Sequence, residues 1–205
     1  MSTENTFIDK ISNEQTALLP AIEFRGEIRI IEHERDIDDA CRYLSEQPLV
    51  GFDTETRPSF RPGVTHRVSL LQLSSPERCY LFRLNKIPLA KPILRLLENR
   101  NLPKIGADVA GDLRSLRQIR HFRDGGFVDL QSIAPQWGIE EKSLRKMSAI
   151  VLGRRVSKAQ RLSNWEANVL TPQQKMYAAT DAWVCISIYE KLLATPTEAR
   201  GGTKI

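Results

Sequence analysis

A chain of 205 residues with 41% hydrophobic content is long enough to bury one full core and has the composition of a globular domain. Its three cysteines, Cys41, Cys79 and Cys185, are odd in number and far apart with no CxxC, and its three histidines are equally scattered; neither a disulfide framework nor a zinc site is supported. No apolar run could span a bilayer and the polar N-terminus is not a signal peptide, so a cytoplasmic location and no membrane partner are expected, while the net charge of +5 suits a polyanionic partner.

Residues 1–22 are polar and weakly patterned and are expected to form a flexible arm, or a short helix laid on the domain. The domain itself is placed at 23–195, and 196–205 as a disordered tail. Alternation at 27–31 predicts a first strand. Ile37, Ala40, Cys41 and Leu44 make a helical stripe over 36–44, with Asp36 as its cap. Leu49, Val50 and Phe52 predict a strand that ends in Asp53 and Glu55. The stretch 56–65, with Pro58, Pro62 and Gly63, is irregular. Strands at 68–73 and 79–82 pair through a turn at 74–77. Residues 93–97 are helical. A short buried strand at 104–107 leads into a helix over 109–119, with Asp108 at the cap position. A strand at 127–128 precedes helices at 130–137 and 143–152. The last element runs over 172–193, with Pro172 in its first turn and a partial apolar stripe of Met176, Ala179, Trp183, Ile186 and Leu193. The first three strands are read as joined by hairpin-like connections and the later ones by helices. The fold class is therefore α/β, a mixed central β-sheet flanked by α-helices.

The acids carry the chemistry. Side chains alternate along a strand, so Asp53 and Glu55 share a face and Thr54 points away. Two adjacent carboxylates repel, and a divalent cation between them removes that repulsion; the alternative is a solvated pair balanced by Arg57 or Arg67. Asp108 and Asp112 lie four apart at a strand-to-helix junction, where a cap and a first-turn acid explain them structurally. Tyr177 and Asp181, at i and i+4, share one helix face. Asp181 is followed by Ala182, Trp183, Val184, Cys185 and Ile186, which is hard to reconcile with solvated surface. Finally, Lys142, Arg145, Lys146, Arg154, Arg155, Lys158 and Arg161 make a run with no acid after Lys142, either a solvated face or a surface that tracks phosphates.

Taken together, Gly51-Phe52-Asp53-Thr54-Glu55, Val68-Ser69-Leu70-Leu71-Gln72-Leu73, Leu96-Leu97-Glu98-Asn99, Gly111-Asp112, Ser163-Asn164-Trp165 and Tyr177-Ala178-Ala179-Thr180-Asp181-Ala182 resemble, in order, the motifs of the DEDD family of 3′–5′ exonucleases. Tyr177, four before Asp181, indicates the tyrosine branch, and the resemblance is close to Werner-type exonuclease domains. It implies an RNase H-like fold and two-metal phosphodiester hydrolysis with two Mg²⁺ ions, for which Mn²⁺ substitutes. Asp53 would bridge both ions, Glu55 and Asp181 would hold the one that binds the attacking water, Asp112 would serve the second partly through water, and Tyr177 would orient the nucleophile. Asp108 matches no family acid and stays a cap. The implied partner is nucleic acid with a free 3′ end, cut to nucleoside 5′-monophosphates. DNA is favoured over RNA, because an RNase D-like enzyme would carry a helical domain after the exonuclease and twelve residues follow Leu193. Thr54, Thr56, Arg57 and Arg61, with Arg154, Arg155 and Lys158 from the basic run, are the candidate substrate contacts. The competing readings are an RNase D-like RNA exonuclease, a non-catalytic nucleic-acid-binding module, and a hydrolase of a short phosphodiester such as a dinucleotide.

Overall fold

Six strands form one mixed sheet in a computed structural model that describes residues 7–197. In chain order the elements are α1 (Asn13–Leu18), β1 (Glu27–Ile31), α2 (Ile37–Ser45), β2 (Val50–Thr56), β3 (Val68–Ser74), β4 (Arg78–Phe82), α3 (Lys91–Glu98), β5 (Lys104–Gly106), α4 (Val109–Arg117), β6 (Phe127–Asp129), α5 (Leu130–Ile133), α6 (Leu144–Leu152) and α7 (Pro172–Leu193). The strand order is β1-β4-β3-β2-β5-β6. β2–β3 and β3–β4 are antiparallel, and the other three pairings are parallel. The mixed sheet is as expected, but only β2, β3 and β4 form a hairpin meander. β1 reaches β2 through α2 and pairs with β4 instead, because a parallel pairing needs a crossover that a tight turn cannot supply.

Both faces of the sheet are covered, so its central strands are apolar on both sides. On one face Phe52, Leu71, Leu73 and Phe82 pack against Leu44 of α2, Leu97 of α3 and Leu116 of α4. On the other, Leu70, Cys79 and Leu81 lie under Ala178 and Ala179 of α7. Ile105 meets Met147 of α6 and Val184 and Ile188 of α7. Helix α7 opens with a capping box from Thr171 and Gln174 around Pro172 and is buried on most of its circumference. The single stripe expected for it therefore fails at its end: Leu193 is exposed, while Ala178, Ala182 and Cys185 are buried. All three cysteines are buried and free. Among the described residues no helix is long and apolar enough to cross a membrane.

Over its described part, the N-terminal stretch takes the second of its two expected forms, a short helix laid on the domain. Phe7 and Ile11 are buried, and Ser12 and Gln15 form a capping box for α1. Ala21 makes a parallel bridge with Arg155, whose guanidinium also donates to the Leu19 carbonyl. The apolar side chains spaced through a polar segment carry this contact. The rest of the arm, 1–6, and the tail at 198–205 lie outside the described residues. Two other local expectations change. Asp36 makes no capping bond, because a 3₁₀ turn over Glu34–Asp36 leads into α2. The helix read over 130–137 splits into α5 and a 3₁₀ turn, Ala134–Trp137, since Pro135 has no N–H to continue the α pattern.

Candidate active site

Short β5 creates the site. It pairs with β2 only at Val50 and Gly51, so beyond Gly51 that edge of β2 is open. On the other side β3 continues alongside, with a register shift between Glu55 and Thr56. The result is a crevice at the carboxyl ends of parallel strands where the connections diverge, the usual place for a site in such a sheet. Asp53 and Glu55 stand on its floor.

Two helices bring further acids to it. α4 begins directly after β5 and carries Asp112 in its first turn. Asp108 occupies the cap position, yet it does not cap. Its backbone is left-handed at φ 63°, the one positive φ among the described non-glycine residues, and its side chain makes no cap bond. The Val109 N–H donates instead to Asp129 Oδ2 at 3.0 Å, while Oδ1 accepts from Gln131 N at 2.9 Å. One carboxylate at the end of β6 thus caps both α4 and α5. The second helix, α7, crosses β2 at Gly51. A Cβ there would lie 1.9 Å from the Ala182 carbonyl oxygen, so only glycine lets the helix backbone come this close. That contact sets Asp181, one residue before Ala182, beside Asp53.

Asp53, Glu55 and Asp181 each place a carboxylate oxygen within 4.8 Å of the others. Asp112 stands next to them, with its Oδ1 accepting a 2.6 Å hydrogen bond from Thr54 Oγ1. None of the four takes part in an ion pair with Lys, Arg or His among the described residues. Loss of solvent, followed by the charges of Asp112, Asp181 and Glu55, pushes Asp53 well above the usual carboxylate range. Burial, then Asp181 and Asp112, raises Glu55 to about 9. Burial lifts Asp181 to about 7 against the opposing pull of the Tyr177 hydroxyl, and Asp112 to about 7 against the bond from Thr54. Burial raises the Tyr177 phenol too, with Asp181 as the next cause.

This is an arrangement that a cation completes. Four carboxyls in one crevice cannot all ionise without one, and Asp181 Oδ1 is buried with no protein partner. The donors are all oxygen, which suits Mg²⁺ or Mn²⁺ rather than a thiolate- or imidazole-seeking metal. The residues present fit such ions.

Tyr177 is held from behind. Its ring packs on the fully buried Trp165 at 6.0 Å between centroids. The segment carrying Trp165 is pinned to the sheet by Arg83, a buried guanidinium that donates to Glu32 and to the Ala167 carbonyl, and by Lys86, which donates to Glu32 and the Asn168 carbonyl. At the mouth, Glu166 accepts from Arg57 at 3.1 Å and lies 3.8 Å from His66, tying the loop after β2 to this segment.

The surface contacts expected from sequence divide. Arg61, Arg154 and Lys158 are exposed. Thr56 ends β2 beside the register shift. Arg57 is exposed but paired with Glu166 rather than with the site acids. Thr54 donates its hydroxyl to Asp112, and the half-buried Arg155 donates its guanidinium to the Leu19 carbonyl and pairs its backbone with Pro20 and Ile22. The capping role of Asp129 was not foreseen, although an acid between a strand and a helix is a cap signal. Arg83 gave no local signal, because its partners lie 51 and 84 residues away.

A sequence model for a family described as 3′–5′ exonuclease matches residues 28–195. The bifunctional 3′–5′ exonuclease/ATP-dependent helicase WRN of Mus musculus is 36% identical over 184 residues, covering 85% of this chain and 13% of that protein. A protein of Arabidopsis thaliana named 3′–5′ exonuclease is 29% identical over 203 residues, covering 89% of this chain and 69% of that one. The crystal structure of the Aedes aegypti Nibbler EXO domain superposes with a TM-score of 0.77 at 20% identity, over 85% of this chain and 92% of that one. This likeness carries the fold, which is RNase H-like as expected.

Proposed function

This chain belongs to the 3′–5′ exonuclease family, and from that premise we propose that it removes nucleotides from the free 3′ end of DNA as nucleoside 5′-monophosphates, with two ions of the Mg²⁺ or Mn²⁺ class as cofactors. The observation that carries this reading is the convergence of Asp53, Glu55 and Asp181, with Asp112 beside them, and no basic side chain among the described residues paired to any. Asp53, Glu55 and Asp181 would hold the ions, with Asp112 beside them as a further oxygen ligand. When bound, such ions neutralise the phosphate, acidify a water and stabilise the attacking and leaving oxygens.

The remaining residues act by holding and orienting. Tyr177 stays protonated across the neutral range, so its hydroxyl donates and accepts hydrogen bonds rather than serving as a strong base. Set beside Asp181 and braced by Trp165, it orients the nucleophile; correct placement alone is worth large factors in rate. Thr54 fixes the rotamer of Asp112. Arg61, Arg154 and Lys158 offer exposed cations for the phosphate backbone. DNA is favoured on the resemblance to Werner-type domains.

The test is digestion of 5′-labelled single-stranded DNA, recessed duplex DNA and RNA, with Mg²⁺ or Mn²⁺ and with EDTA, using wild type beside Asp53→Ala. We expect a ladder shrinking from the 3′ end of DNA, lost with EDTA and in the variant. Faster digestion of RNA would overturn the DNA preference. No cleavage of any substrate by the folded, metal-loaded protein would overturn the exonuclease and leave a binding module or a short-substrate hydrolase.

A further inference from the structure

Four buried side-chain atoms among the described residues have no hydrogen-bond partner within the protein. One is Asp181 Oδ1, in the site, and one is Trp165 Nε1, on the indole that braces Tyr177. The other two are both polar atoms of a single side chain, Gln72. Gln72 is fully buried at the centre of β3, directly opposite Asp53 on β2 and Leu81 on β4. Partners across an antiparallel pair point to the same face with Cβ atoms about 4.5–5.5 Å apart. The amide therefore lies alongside the Asp53 carboxyl on the face that α7 covers.

Its other neighbours on that face offer it little. Leu70 and Leu81 are apolar and belong to the cluster under α7. Ser74 donates its hydroxyl proton to the Ser75 carbonyl and accepts nothing from the Gln72 amide. Ala178 and Ala182 of α7 bring no polar side chain. Asp53 is the carboxylate directly across the strand pair. An unpaired buried amide is a standing destabilisation that a leucine or methionine at this position would not incur. Methionine in particular has nearly the same volume and reach.

We infer that Gln72 is a positioning residue for Asp53: its amide nitrogen donates to one oxygen of the ionised carboxylate, directly or through one bound water, and so keeps the other oxygen turned toward Glu55 and Asp181. The inference rests on the metal-binding reading above. A hydrogen bond to the charged form also favours ionisation of an acid whose neighbours oppose it.

The test is calorimetric titration of the metal-free full chain with Mn²⁺, for wild type, Gln72→Met and Gln72→Leu, with thermal unfolding of each measured without metal. We expect both variants to unfold at or above the wild-type temperature while binding Mn²⁺ about tenfold more weakly, the usual scale for loss of a residue that orients a ligand. Mn²⁺ affinity unchanged in either folded variant would overturn the assignment. So would failure of both to fold, which would make Gln72 a core residue only. If wild type itself bound no Mn²⁺, the metal reading would fall and this inference with it.

Discussion

At the scale of single residues, the site is a store of like charge. Glu55 is raised from 4.5 to about 9, and Asp112 and Asp181 from 3.8 to about 7. Between about pH 4 and 9 the folded, metal-free protein thus binds more protons here than the unfolded chain does. Stability from these groups is full below pH 4 and is lost as pH rises through the folded values. We expect the metal-free melting temperature of wild type, relative to Asp53→Asn, to fall steadily from pH 5 to pH 9. Added Mn²⁺ should raise it far more at pH 8 than at pH 5; scanning fluorimetry checks both. Tyr177→Phe keeps the ring on Trp165 and removes only the hydroxyl. Turnover should drop about a hundredfold from lost orientation of the nucleophile, with Mn²⁺ affinity unchanged, as steady-state kinetics beside calorimetry would show.

At the scale of elements, function depends on how closely α7 approaches β2. Gly51→Ala drives a Cβ into the Ala182 carbonyl, and backbone cannot rotate away as a side chain can. We expect a loss of about 2–3 kcal/mol in urea unfolding, the upper range for overpacking, and turnover reduced even in the folded fraction as Asp181 moves from Asp53. Much at this scale was legible beforehand. β2 announced itself through Val50 and Phe52 before its acids, and α7 through Pro172 and the Tyr177–Asp181 spacing. The failures have local physical causes. Asp108 stands where a cap belongs, but its backbone is left-handed and its carboxylate, lying against Gly111 in the first turn, makes no cap bond and leaves the work to Asp129. Of the two forms open for the N-terminal stretch, the sequence did not choose, because Phe7 and Ile11 are too few to make a pattern, although each finds a buried place.

At the scale of the whole molecule, charge governs how substrate is held. The net charge is +5, and Arg154 and Lys158 stand exposed in the basic run. Each phosphate contact on a single strand contributes about 0.7 to the slope of log K against log salt. Replacing both with alanine should lower that slope by about 1.4 and weaken binding of all sequences alike. Fluorescence anisotropy of labelled single-stranded DNA in EDTA, from low to moderate salt, measures it. By itself the sequence determined what local geometry controls: a period of two places Asp53 and Glu55 on one face, a helical turn stacks Tyr177 on Asp181, and the spread of cysteines and histidines offers no local Cys/His motif. Only the tertiary structure decided which of these groups meet. Asp181 reaches Asp53 across a glycine 131 residues before Ala182, Arg155 holds residues 19–22, and Gln72 comes to lie without a protein partner opposite Asp53. Strand order and the close crossing of a helix make those encounters, and neither is written in the spacing of nearby residues.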